Sequence, residues 1–194
     1  MIAQEDSLFL AAKKIFLNSP AYECSFEMDL NVDFINIPNK KGQMTYSPKS
    51  GVDYKFDGVG FFPKKSANEQ MQSILNTACT VIKLEEDVNS VKYKVIPNDI
   101  NFDLVLADII IDKESANMVR MNTITKESGA ISLSFEYNAN VDYLPSKLTI
   151  DFDLKNRKLP ASFTGDFENM GEDFDMNKQS NAELIIFYAN YIIK

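Results

Sequence analysis

The chain has 194 residues, 45% of them hydrophobic and 25% charged, with a net charge of −8. The composition is that of an ordinary globular protein, and the length suits one domain over residues 1–194 with no linker to divide it. The acidic balance argues against nucleic acid and anionic lipid surfaces as partners, and the absence of any histidine excludes Ser-His and Cys-His catalysis, the zincin motifs and every histidine-liganded metal site.

Met1-Ile2-Ala3-Gln4-Glu5-Asp6 reads as a mature terminus after a small-residue cleavage site, with an added methionine in front, which predicts an exported protein. Asp6 is placed to cap a first helix over Ser7 to Asn18, with Leu8, Ala11, Ala12, Ile15 and Phe16 as its apolar stripe and Pro20 ending it. From Cys24 to Phe34 the chain alternates without a slip. Cys24, Phe26, Met28, Leu30, Val32 and Phe34 face one way; Ser25, Glu27, Asp29, Asn31 and Asp33 face the other, as in a half-buried strand. Met44 and Tyr46 alternate before a turn at Pro48 and Gly51, and Val52, Tyr54 and Phe56 alternate after it.

Ser66-Ala67-Asn68-Glu69 is a capping box, opening a helix that carries Met71, Ile74, Leu75 and Ala78. Further strands are expected between Val81 and Phe163: Val91 to Val95, Phe102 to Ile111, Met118 to Thr125, Ile131 to Tyr137 and Leu148 to Leu154. Turn signals at Pro97 to Asp99, Asp112 to Ser115, Lys126 to Gly129 and Asn138 to Pro145 separate them, so an antiparallel meander follows. Asp166 to Asn177 is acidic and aperiodic and reads as a surface loop. A second capping box, Ser180-Asn181-Ala182-Glu183, opens a last helix with Leu184, Phe187, Tyr188, Tyr191 and Ile192 as its stripe, widened by Ile185, Ile186 and Ile193. The expectation is α+β: about eight antiparallel strands in a strongly curved sheet, an incomplete barrel, with about three helices covering the concave face. No run approaches the ~18 apolar residues that cross a membrane as a helix, so no transmembrane segment is expected.

By alternation the concave face receives Phe26, Met28, Leu30, Tyr46, Tyr54, Phe56, Tyr93, Phe135, Tyr137, Ile150 and Phe152. Such a surface either takes an apolar ligand or packs as ordinary core. The acidic segment offers oxygens for Ca²⁺ but not the EF-hand spacing, and a solvated loop accounts for it. Glu27 and Asp29, and Glu85, Glu86 and Asp87, are neighbouring carboxylates, yet none forms a pair facing across a cleft as glycoside hydrolysis needs. Arg120 alternates against Val119 and Met121 and is expected on the solvated side. Cys24 and Cys79 are too few for a disulfide framework; one bridge between them stays open, and Cys24 reads more simply as a small buried hydrophobe. No catalytic residue, cofactor or metal is expected.

Three stretches resemble the LolA-like lipoprotein carriers. GQMTYSP followed by GVDYKF is similar to the family's early hairpin. KVIPNDINFDLVLADIIIDKESANMVRMNTI is similar to its central strand pair, and YLPSKLTIDFDL to its late strand introduced by a Leu-Pro step. The resemblance covers most of residues 5 to 165. It implies an incomplete antiparallel barrel closed by helices, whose hollow takes the acyl chains of a lipid or lipoprotein with no covalent chemistry. It implies the periplasm, outer-membrane biogenesis as context, and membrane-bound donor and acceptor proteins as further partners. The chain departs from the family where the carriers hold their helical lid with an arginine: the matching Val52-Asp53-Tyr54-Lys55-Phe56 has only Lys55, which lacks the guanidinium fork. Two readings stand beside the carrier: an interaction module with a solidly packed core, and an enzyme on an NTF2-like scaffold. A filled interior would sink the carrier, and the enzyme needs a carboxylate or tyrosine with a perturbed pKa inside the hollow.

Overall fold

In the computed structural model, which describes residues 6–32, 35–36, 39–56, 74–126, 129–138, 141–153 and 181–194, the alternating segments join one antiparallel sheet. The elements are α1 (Ser7–Leu17), β1 (Tyr22–Val32), β2 (Ile35–Asn36), β3 (Lys40–Ser47), β4 (Gly51–Phe56), β5 (Cys79–Glu86), β6 (Ser90–Pro97), β7 (Leu104–Asp112), β8 (Met118–Thr125), β9 (Gly129–Asn138), β10 (Val141–Asp153) and β11 (Asn181–Ile193). Their order across the sheet is β4-β3-β1-β11-β10-β9-β8-β7-β6-β5, with β2 paired to the end of β1. Among the described residues β4 and β5 are the two edges, so the sheet is open. Strand neighbours from β5 to β10 are also neighbours in sequence, as the short polar turns demand. Gly51, at φ 75°, lets the β3–β4 hairpin close where a side chain would clash.

The segment expected to be the last helix is a strand. β11 lies in the middle of the sheet, paired with β1 on one side and β10 on the other. Ala182, Leu184 and Ile186 are buried at a period of two. The helical spacing arises from a bulge: Glu23 faces Ile192 and Ser25 faces Ala189, so Asn190 and Tyr191 together oppose Cys24. Asn190 takes the left-handed conformation the bulge needs, at φ 55°, and asparagine tolerates it. Tyr191 therefore joins Leu184 and Tyr188 on one face, at the i, i+4, i+7 spacing of a helix. Four isoleucines and three aromatics in this segment fit a strand packed between two others.

A second bulge sits in β8, where Arg120 faces Ile110 but Met118 faces Ile111. It carries Met118 and Met121, three residues apart, to the same buried face and leaves Arg120 exposed, as alternation from Met121 predicts. The stretch from Asn138 to Pro145, read as a turn, is largely strand: β10 starts at Val141 and meets β9 through irregular register around Pro145, which cannot donate to the ladder. With these changes the described residues hold eleven strands, one of only two residues, where about eight were expected.

α1 begins as expected. The Asp6 carboxylate accepts the Leu8 amide at 2.9 Å as N-cap. Its core stripe is Phe9, Ala12 and Phe16, flanked by Leu8 and Leu17, whereas Ala11 is exposed. The large aromatic at position 9 sets which face turns inward, because it has most surface to bury. The helix lies on one face of the sheet, with Phe9 5.4 Å from Tyr93 and Phe16 6.4 Å from Phe135 between ring centroids. Of the expected middle helix, residues 74–76 are helical, with Ile74 and Leu75 buried and Ala78 exposed beyond its end; the capping box and Met71 lie outside the described residues, as does the acidic segment.

Candidate functional site

Eleven residues were expected to share one sheet face, and the structure brings together those it describes. Phe26, Met28, Leu30, Tyr46, Tyr93, Phe135, Ile150 and Phe152 are all buried, on the face covered by α1, and Tyr54 and Tyr137 pack against them. The side chain of Phe56 is outside the described set. Glu27 sits on the opposite face, paired with Lys41 at 3.0 Å, as the alternation of β1 requires.

The inner face has two distinct ends. Under the start of α1, Asp6 Oδ1 accepts a 2.7 Å hydrogen bond from the Tyr93 hydroxyl, and Lys83 Nζ stands 3.7 Å from Asp6 Oδ2. The Tyr93 hydrogen bond is the main reason the Asp6 carboxyl lies below its ordinary pKa; burial opposes it, and the Leu8 amide and Lys83 add to it. Lys83 also pairs with Glu86, which pairs with Lys113 at 2.7 Å, so the first turn of α1 is tied through charges to β5 and the end of β7.

Under the last turn of α1 the face is aromatic. Tyr22 lies 5.0 Å from Tyr46 and 5.5 Å from Tyr191, and Phe26 lies 5.4 Å from Tyr54. Tyr191 donates to the Pro145 carbonyl at 2.7 Å and Tyr137 to the Met118 carbonyl at 2.8 Å, so these buried hydroxyls have partners. Burial raises the pKa of Tyr137, Tyr188 and Tyr191. It also pushes the Cys24 thiol up to about 12, against a hydrogen bond with Tyr191. These groups stay protonated at neutral pH and do not serve as bases. Cys24 and Cys79 are not bridged, so the disulfide left open by the sequence is not formed. Between Phe16, Ser19, Tyr22, Met44, Leu148 and Tyr188 is a cavity of about 40 Å³, room for roughly one water.

Sequence reasoning missed part of this set. Tyr22 and Met44 carry the alternation of their strands but were not chosen; Tyr188 and Tyr191 were placed on a helix; Ser19 has no sequence signal. Lys55, the cation nearest the family's arginine position, is exposed on β4 and lines an open groove with Ser25, Glu27, Lys41, Gln43 and Phe187. That groove, of about 830 Å³, is on the outer face, where the exposed Phe187 ring has Lys147 Nζ 5.8 Å from its centroid. Lys55 thus faces away from α1 and is not in a position to hold it. Glu86 and Asp87, candidates as paired carboxylates, have structural partners instead: Glu86 takes Lys83 and Lys113, and Asp87 accepts the Asn89 and Ser90 amides of its turn at 2.8 and 2.7 Å.

Among the described residues no helix is long and apolar enough to cross a membrane. No protein-family model and no curated protein sequence matches the chain. Solved structures do. The LolA superfamily protein NE2245 from Nitrosomonas europaea superposes with a TM-score of 0.57 at 6% identity, over 97% of this chain and 92% of that one. A DUF1329 family protein from Desulfovibrio piger superposes with a TM-score of 0.50 at 8% identity, over 97% and 94% of the two chains. One open antiparallel sheet, covered on its inner face by an amino-terminal helix, is thus a LolA-like fold, the one the sequence resemblance implied.

Proposed function

We propose that the protein binds acyl chains of a lipid or lipidated protein on the inner face of its sheet, beneath a displaceable α1, without covalent chemistry and in the periplasm, exchanging its cargo with membrane-bound donor and acceptor proteins. The observation that carries this reading is the inner face itself. It is lined by aromatic side chains and methionines, and its described helix has few polar ties to the sheet, gathered at one end.

The magnitudes make exchange plausible. Lifting α1 exposes Leu8, Phe9, Phe16 and Leu17, whose burial is worth about 6–12 kcal/mol together. Burying roughly 8 to 15 methylenes of an acyl chain returns the same amount at ~0.8 kcal/mol each. Helix and chain would compete for one surface on nearly equal terms, so apolar surface would open only when a chain is there to fill it.

The test is native mass spectrometry of the protein with a diacylated lipopeptide and its unacylated control, followed by amide exchange across residues 7–17. A stoichiometric complex with the acylated form only, with faster exchange in α1, is the expected result. No mass gain, with α1 unchanged, would overturn the carrier. The cavity of only about 40 Å³ favours a second reading in that event: an interaction module with a solid core, using the outer groove beside Phe187.

A further inference from the structure

We infer that Ser19 is the hydrogen-bond anchor for a neutral acyl carbonyl, an ester or an amide, at the C-terminal end of α1. The inference rests on the inner face being an acyl-chain site, and it adds which head chemistry that site selects.

Ser19 is 5% exposed, lines the cavity under α1, and its Oγ has no hydrogen-bond partner among the described residues. A buried hydroxyl in that condition is uncommon and costs stability unless something binds it. Its position is set by the backbone. The Ser19 amide donates to the Phe16 carbonyl at 3.5 Å, ending the helix, and Pro20 stiffens the step into β1. Of the hydroxyls that line the same cavity, that of Tyr191 donates to the Pro145 carbonyl, and none of those described is bonded to Ser19.

Among the described residues no charged one lines the cavity. An ionised carboxylate entering it would lose its hydration with no counter-charge in return. A neutral carbonyl needs one donor, and Ser19 supplies it, while the chain beyond lies against Tyr22, Met44, Leu148 and Tyr188. The cavity has room for no more than about one water, so a chain enters by displacing that end of α1. The site therefore prefers an acyl ester or amide to the free fatty acid.

The experiment compares pyrene-labelled dodecanoic acid with its methyl ester at pH 7.5, by fluorescence titration of the wild type and Ser19→Ala. The wild type is expected to bind the ester at least tenfold tighter than the acid. Ser19→Ala should weaken the ester roughly two- to tenfold and leave the weak acid binding unchanged, while raising the Tm of the unliganded protein by about 2–4 °C as the unsatisfied hydroxyl is removed. Ser19→Thr, which keeps the hydroxyl, should restore ester binding. Equal ester affinity in wild type and Ser19→Ala overturns the anchor but leaves the carrier standing. A lower Tm in Ser19→Ala with unchanged ester binding means the hydroxyl holds a structural water, and also overturns it. If the wild type takes up neither probe, the acyl-chain reading fails and the anchor falls with it.

Discussion

The two ends of α1 are built on opposite principles. At its start Phe9 is fully buried against Tyr93, the helix cap doubles as the acceptor of the Tyr93 hydroxyl, and a chain of charges from Lys83 to Lys113 backs it. At its end Phe16 is only partly buried, a cavity lies beneath it, and the Ser19 hydroxyl has no partner among the described residues. A helix fastened at one end and underpacked at the other lifts from the underpacked end, because fewer contacts are lost there. The asymmetry locates where cargo would enter.

The strongest test of that asymmetry is a pair of truncations. Phe9→Ala is expected to cost about 3–5 kcal/mol in urea unfolding, since it empties a packed site, and Phe16→Ala about 1–2 kcal/mol, since its neighbours already border a void. Equal losses would break the comparison. Next, Asp6→Ala removes the cap and strands the Tyr93 hydroxyl, for about 2 kcal/mol, and Tyr93→Phe removes only the shared hydrogen bond, for about 1 kcal/mol. The double variant should cost less than the two added, because both act on one bond.

Acid sharpens the same end. Asp6 titrates below its unfolded value, so its contribution is fully present above about pH 4 and is lost as pH falls through the lowered folded value. Because Glu86, Asp87 and Asp112 are lowered too, the informative quantity is the difference between wild type and Asp6→Asn, which should be flat at neutral pH and shrink below about pH 4. The smallest effect belongs to Lys83→Met. Its ion pairs are solvent-exposed, so a change in α1 exchange should appear at low salt and vanish at high salt.

Legibility in the sequence followed the range of the interactions. The β6–β9 meander was readable because each strand meets its sequence neighbour across a short polar turn, and local alternation already states which face is inward. The cap at Asp6 was readable for the same reason: its first partner, the Leu8 amide, is two residues away. Of the site, the aromatic face was legible as a face, although the same pattern serves a ligand surface or a solid core. Its correct helix stripe was not, because choosing Phe9 over Ala11 depends on Tyr93, which no local signal connects to position 9. Arg120 was placed correctly on the solvated side, but the bulge beside it, which buries both Met118 and Met121, appears only once β7 and β8 are in register.

β11 marks the boundary. Its residues suit a strand or a helix, since one bulge at Asn190 gives Leu184, Tyr188 and Tyr191 a helical spacing, and the Ser180-Glu183 pair imitates a helix start. What decides is pairing with β1, where Tyr22 meets Ile193 across more than the length of the meander. A strand's hydrogen bonds lie in its neighbours and a helix's within itself, so a segment without strong local preference takes its state from partners distant in sequence. Composition, alternation and turns by themselves determined an antiparallel sheet with one apolar face and a helix to cover it. Only tertiary structure decided that β11 fills the centre of that sheet, that Lys55 turns away from the helix, and that Ser19 is sealed in with no partner among the described residues, because each depends on which distant backbone or side chain arrives beside it.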